Sequence, residues 1–302
     1  MKLHLTQIVK KINLLGILLI PVFLQAQSTF EILNIPHSAR DLALTQSGSA
    51  LSNHNISTNP ASMVSDEVVL FLDYLQYPAD IALHSVSGLY PLQNSLFAFS
   101  LINLDYGSLK DSESLISFSA RDLVFQAAWK TQLWNSLSAG VSVKYLYSKI
   151  ADYSANGAAV TVGLRTRLLE KRLGIGLSLE NFGRMFSSYD EKRESLPSAA
   201  RLGLYYQPIH LPAVLSVDVL NYQDSDPKFV GGIEFSTSEK FVIRVSSSSY
   251  KKDLEVGEFN EKFISGMAGG IGLKFTEFNI DISFQDMGPA GVVSGFGIQY
   301  RF

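Results

Sequence analysis

From Val68 to the C-terminus, apolar and polar residues alternate with a period of two in one segment after another. Successive side chains of a strand point to opposite faces, so this alternation predicts strands with one greasy and one polar face. Fourteen such segments follow one another: roughly 67–75, 79–89, 95–105, 121–131, 136–148, 157–168, 173–181, 199–207, 213–221, 227–236, 240–248, 263–275, 278–286 and 292–302. In the fifth, Leu137, Ala139, Val141, Val143, Tyr145 and Tyr147 share one face, opposite Ser138, Gly140, Ser142 and Lys144. In the thirteenth, Phe278, Ile280, Ile282 and Phe284 oppose Asn279, Asp281, Ser283 and Gln285. The polar face of the set carries Lys144, Arg165, Glu180, Arg201, Asp218, Glu234, Arg244, Lys274, Asp281 and Arg301.

The connections also alternate. Those near 91–94, 132–135, 169–172, 208–212, 237–239 and 276–277 are short, and those near 106–120, 149–156, 182–198, 222–226, 249–262 and 287–291 tend to be longer and more polar. Outer-membrane barrels have short periplasmic turns and longer external loops. An open sheet of this size in hydrocarbon would leave two unpaired edges, and closure removes both. The expected fold is therefore all-β: a 14-stranded antiparallel transmembrane barrel over 67–302. An even strand count predicts that both termini are periplasmic. The last strand ends Phe296-Gly297-Ile298-Gln299-Tyr300-Arg301-Phe302. Its Gly297, Tyr300 and Phe302 resemble the C-terminal signal read by the barrel-assembly machinery. A soluble secreted β-protein would show the same alternation, but it leaves this ending and the loop lengths unexplained.

The N-terminus changes the picture. Lys2, Lys10 and Lys11 precede an apolar run from Ile12 to Phe23, too short to span a bilayer comfortably, and Leu24-Gln25-Ala26 reads as a cleavage site. Residues 1–26 are expected to be a signal peptide directing the chain to the outer membrane of a Gram-negative bacterium. Residues 27–66 are rich in Ser, Asn and Ala and lack alternation. They are expected to form a hatch inside the barrel, with a short helix near Ala39–Leu44. Inward-facing Gly163, Gly174, Gly176, Gly203, Gly232, Gly272, Gly295 and Gly297 would make room for it. The chain is 46% hydrophobic, with mean hydropathy +0.14, 19 Phe and 13 Tyr. Interleaved rather than contiguous apolar residues reconcile those values with a membrane barrel and its aromatic girdles. A net charge of −3 gives no nucleic-acid footprint. With no cysteine, disulfides, thiolate metal sites and cysteine nucleophiles are excluded.

Catalytic patterns are not found. His4, His37, His54, His84 and His210 form no metal-binding spacing. The Gly266–Gly272 run lacks the lysine and hydroxyl residue of a phosphate loop and precedes a strand, so small residues shaping the wall explain it better. Asp111 and Glu113, then Asp190, Glu191 and Glu194, then Asp224 and Asp226 fit no calcium loop and read as solvated surface. Charges facing a lumen need partners, and pairing with one another and with the hatch is their expected role. No enzyme activity, metal or cofactor is expected.

Glu31-Ile-Leu-Asn-Ile-Pro-His-Ser-Ala-Arg-Asp-Leu-Ala-Leu44 resembles the opening motif of the PorV/PorQ family of type IX secretion outer-membrane proteins. Asn59-Pro60-Ala61 resembles the N-P-A that follows it. Asp73-Tyr74-Leu75-Gln76-Tyr77-Pro78-Ala79-Asp80-Ile81 resembles a further family block. Asn181-Phe182-Gly183 with Leu196–Gly203 resembles a third. The first and 73–81 blocks are closer to the PorQ branch. Two departures stand out: Thr45-Gln46-Ser47-Gly48 replaces a Leu-Gly-Gly, and Asn53-His54-Asn55 replaces an acidic pair.

This resemblance implies a FadL-like barrel with an N-terminal hatch and no catalysis. It also implies a scaffold that binds type IX components or secreted cargo, with a PorZ-like partner, in contact with outer-membrane lipid. Ser38, Ala39, Arg40, Asn59 and Pro60 carry over as hatch-motif residues. Arg40 is expected to meet a lumen carboxylate such as Glu180, Glu234 or Asp281, and Asn59 to turn the backbone at Pro60. The alternative is a FadL-like transporter of hydrophobic small molecules. Inward positions that are mostly charged or glycine weigh against the large apolar pocket that such a transporter needs.

Overall fold

A computed structural model describes residues 30–302 except 53–55, 111–116, 190–194, 223–225 and 250–265. The predicted signal peptide, His54 and most of the acidic external-loop residues lie outside the described residues. Among the described residues fourteen antiparallel strands close on themselves. They are β1 (Val69–Gln76), β2 (Ala82–Leu92), β3 (Ser95–Lys110), β4 (Ser117–Trp134), β5 (Leu137–Ile150), β6 (Tyr153–Leu168) and β7 (Leu173–Ser187), then β8 (Ala199–Tyr206), β9 (Ala213–Tyr222), β10 (Lys228–Ser238), β11 (Phe241–Ser248), β12 (Met267–Lys274), β13 (Phe278–Asp286) and β14 (Val292–Arg301). Each strand pairs with its sequence neighbours. β1 and β14 close the ring in the register Val69↔Arg301 to Gln76↔Ser294. Among the described residues no helix is long and apolar enough to cross a membrane.

The alternation read in the sequence is the inside–outside alternation of this wall. Ser138, Gly140, Ser142 and Lys144 are buried inward, while Val143 and Tyr145 are exposed outward. The outer face carries large apolar residues at every level, among them Leu72, Val86, Phe99, Phe125, Leu177 and Ile233. Exposed aromatics ring both ends. Tyr90, Trp134, Tyr206, Phe275 and Phe302 lie at one rim, and Tyr153, Phe186, Phe229 and Phe284 toward the other. An apolar band between aromatic girdles matches hydrocarbon between two interfaces.

The short-turn rim is as expected, but the opposite rim is not uniform. β3 and β4 run 16 and 18 residues, absorbing most of the segment read as a long loop at 106–120. β5 and β6 are joined by a tight turn at 151–152 in place of a loop over 149–156, with Ala151 at φ 52°. Alternating polarity in these stretches is weaker, which is why their strand ends are hard to see in the sequence. β7 carries a bulge at Asn181 (φ 58°), where the ladder with β6 shifts between Val160 and Val162.

The described residues from 30 to 63 lie inside the barrel. The segment begins near the longer-loop rim, where Phe30, Ile32 and Leu33 pack in one buried cluster with Leu104, Met185, Leu196 and Val293. It descends through a five-residue helix, α1 (Ala39–Ala43). Lower down, Ile56 and Met63 pack with Val69, Phe71, Leu89 and Leu96. The start of β1 and the C-terminus share the short-turn rim, where the Phe302 N–H donates to the Val68 carbonyl. The first described residue, in contrast, lies at the other end of the lumen. Strand parity places the ends of the sheet and says nothing of a segment threaded through it first.

The inward glycines are clearance for this segment. A side chain at Gly176 would meet the backbone of Ser49 and Ala50, and one at Gly295 would meet Leu42. Gly163, Gly203, Gly232 and Gly297 face Asn59, Ser49, Ser47 and Ala39. Gly174 and Gly272 instead accommodate barrel side chains, Tyr205 in one case and Asp281 with Arg244 in the other. A Cβ at Gly140 would come within 2.5 Å of the Pro60–Ala61 backbone. Overpacking of this kind costs about 1–3 kcal/mol. Gly140→Val is therefore expected to leave the barrel folded, as judged by heat-modifiable gel migration, and to expose Arg40 to trypsin. Unchanged protection of Arg40 would show that the close approach does not hold the hatch.

Candidate functional site in the barrel lumen

The hatch is short and irregular, so its backbone groups find partners on the wall. Ser38 starts α1: its Oγ accepts from Asp41 N–H at 3.1 Å. Asp73 on β1 accepts from Ala39 N–H at 2.9 Å. Asp218 on β9 accepts from Gly48 and Ser49 N–H, both at 3.0 Å. Arg201 on β8 lies beside it, donating to Glu180 at 2.6 Å and to the Gln46 carbonyl at 3.0 Å, with Asp218 3.5 Å away. Thr45 and Gln46 adopt φ 48° and 58°, an unusual conformation for such residues, and Gly48 takes φ 99°. Thr45 Oγ1 is tied to Ser246 at 2.6 Å, and Gln46 Nε2 donates to the Asn34 carbonyl at 2.7 Å.

Asn59 lies at a turn of the hatch. Its Oδ1 accepts from Ala61 N–H at 3.1 Å, and its Nδ2 donates to Ser49 and Leu164 carbonyls. Pro60 begins a short 3-10 turn that packs on β4, β5 and β6. Lys144 donates to the Ser57 carbonyl at 3.0 Å and to Asn181 at 2.7 Å. Arg165 donates to the Ala50 carbonyl at 2.6 Å and lies over the Tyr205 ring. Arg40 meets Glu234 at 2.6 Å, and Arg244 bridges Glu234 at 2.8 Å to Asp281 at 2.5 Å. Arg301 stands apart, at the rim, on the Phe275 and Thr276 carbonyls. It is on the inward face, but its level in the strand puts it below the charge network.

Two cavities lie along the β9–β13 wall. One, of about 270 Å³ toward the short-turn rim, is polar and is lined by Arg40, Glu234, Arg244, Lys274, Asn279 and Asp281. The other, of about 200 Å³ toward the longer-loop rim, is largely apolar and is lined by Ile35, Pro36, Tyr77, Leu220, Val230 and Met287, with Asn34, Thr45 and Gln46. Hatch residues 40–46 supply a wall to each. Inward polarity argued against a large apolar pocket, and the apolar cavity found is a small one. Its lining comes from the strand ends and from the hatch, where the barrel's alternation is no guide. Tyr77 and Asn34 were within motif blocks quoted from the sequence, yet nothing local marks them as cavity residues. Among the described residues no cluster of acids and histidines could hold a metal ion.

A closed antiparallel barrel with a plugged lumen and an apolar outer band is the fold of outer-membrane channels. Among solved structures it is similar to the monoaromatic hydrocarbon channel CymD, with TM-score 0.65 and 11% identity over 88% of this chain and 97% of that one. It is also similar to the toluene transporter TodX of Pseudomonas putida, with TM-score 0.60 and 13% identity over 92% and 99%. A TodX deletion mutant gives TM-score 0.65 at 13% identity. At these identities the likeness is one of fold. No family model and no curated protein matches the chain.

Two predictions concern the hatch anchors. Arg40→Ala removes one of the two arginines on Glu234; breaking a buried pair costs roughly 3 kcal/mol. A lower midpoint for release of the hatch in urea, read by trypsin sensitivity, is expected, with the barrel transition little changed. His37 is held between the Ile32 carbonyl (2.6 Å) and Ser57 (3.0 Å). Burial lowers its pKa from 6.5 to about 4, against the pull of the Ile32 carbonyl and with help from the Lys144 charge. The released hatch thus binds a proton more readily between these values. His37 supports docking fully above about pH 6.5, and that support fades toward pH 4 by about 3 kcal/mol. Hydrogen exchange of hatch amides, corrected for intrinsic rates, should accelerate across this window in the native chain and less in His37→Gln.

Proposed function

We propose that the protein is an outer-membrane channel for small hydrophobic molecules, with the N-terminal segment as its gate. The observation that carries this reading is the placement of the two cavities. They lie on the same wall toward opposite rims, and the 40–46 stretch of the hatch lines both. Its polar contacts are hydrogen bonds and ion pairs that water can replace as the segment moves, while Leu42, Ala43 and Leu44 pack on the wall. The short-turn rim would be periplasmic and the longer-loop rim external, as loop lengths in such barrels run. The fold shared with CymD and TodX, whose names describe hydrocarbon passage, supports the same direction.

The scaffold reading rests on the motif resemblance. In this chain Ser38, Ala39, Arg40, Asn59 and Pro60 are engaged in seating the hatch, which accounts for the motif without a protein partner. Under that reading its partners would be type IX components, secreted cargo and a PorZ-like protein.

The chain has no native cysteine, so a locked gate can be built cleanly. Ser47 and Ser216 hydroxyls are 3.0 Å apart across the hatch–wall contact. Cells carrying the barrel are expected to take up radiolabelled toluene about fivefold faster than cells without it, a modest acceleration in transition-state terms. The oxidised Ser47→Cys/Ser216→Cys variant should fall to the background rate and recover on reduction. Uptake that never exceeds background in the native chain overturns the reading. Co-purification of secreted proteins from the same membranes would then favour the scaffold.

A further inference from the structure

The apolar cavity contains a polar feature that a hydrocarbon leaves unused. The side-chain oxygen of Asn34 and the hydroxyl of Tyr77 are both buried without a hydrogen-bond partner among the described residues, and both residues line this space. Buried polar atoms are nearly always paired, so two unpaired ones lining a single cavity are free to receive a polar group that enters it. Both groups are held in place by their own backbone. The Asn34 carbonyl receives Gln46, and its Nδ2 donates to Glu31 at 3.3 Å. The Tyr77 N–H donates to Ile81 at 2.8 Å, closing the turn after β1. Burial pushes the Tyr77 phenol above its ordinary range, so it stays protonated and able to donate.

We propose that this cavity binds a small apolar molecule bearing one hydroxyl group, and that Asn34 and Tyr77 select it. The inference rests on the channel reading and narrows its cargo. One hydroxyl can donate to the Asn34 oxygen while accepting from the Tyr77 O–H. The rest of the guest meets Ile35, Leu220, Val230 and Met287. A hydrocarbon leaves both polar atoms unpaired. A carboxylate places its charge against the Asn34 oxygen, and no described residue of the lining is cationic. The second cavity points the same way. A guest moving past residues 40–46 enters a space walled by arginine, lysine and aspartate, where a hydroxyl finds partners that a bare hydrocarbon leaves unused.

The test compares 4-ethylphenol with ethylbenzene, two probes that differ by one hydroxyl, binding to the full-length protein in nanodiscs by ligand-observed NMR. The native chain is expected to prefer 4-ethylphenol by about tenfold, the worth of one well-made buried hydrogen-bond pair. Tyr77→Phe and Asn34→Leu should each shrink that preference to about twofold with ethylbenzene binding unchanged. Leu220→Trp, which fills the space, should weaken both probes. Equal affinities in the native chain overturn the proposal, as does a preference that survives all three substitutions. Toluene uptake with equal probe affinities would sink the hydroxyl selectivity alone. A tenfold preference without any uptake would keep the binding site and remove the channel.

Discussion

An irregular segment enclosed in a barrel cannot satisfy its own backbone, and the charges on a barrel's inner face cannot be left bare. Each deficit answers the other here. Asp218 takes two amides of the hatch, Asp73 takes one at the start of α1, and Arg165, Arg201 and Lys144 supply donors to hatch carbonyls. Either partner alone would carry unmet polar groups costing several kcal/mol in a low-dielectric interior. The glycine clearances, the position of α1 and the two residual cavities all follow from this reciprocity. The cavities are what remains of the lumen where the hatch does not reach the β9–β13 wall.

The barrel was legible because its physics has period two. Leu137 to Lys144 sort by face in the sequence as they do in the wall, and the Glu180, Arg201, Glu234 and Arg244 charges are inward where the pattern puts them. The limits of legibility are also physical. β3, β4 and β6 extend past the point where alternation weakens, because backbone pairing continues where side chains no longer need sorting. The Arg40 contact could be narrowed to three carboxylates, but only register and helix position select Glu234. The apolar cavity was not legible at all. Asn34, Tyr77 and Leu220 come from the hatch, a turn and a strand end, and no periodicity relates them.

Thr45 and Gln46 hold left-handed backbone conformations that neither residue favours, at a cost of order 1–3 kcal/mol each. They line the apolar cavity and are tied down by Ser246, Arg201 and the Asn34 carbonyl. The docked hatch is therefore a sprung arm rather than a resting one. Its backbone relaxes as soon as a few polar ties let go, and that release offsets part of what undocking costs. Under the proposed gating, opening relaxes these two residues and closing must restore their conformations. The latch holds the Asn34 backbone carbonyl while the side-chain oxygen of the same residue faces the cavity, so one residue ties the strained arm to the space beside it.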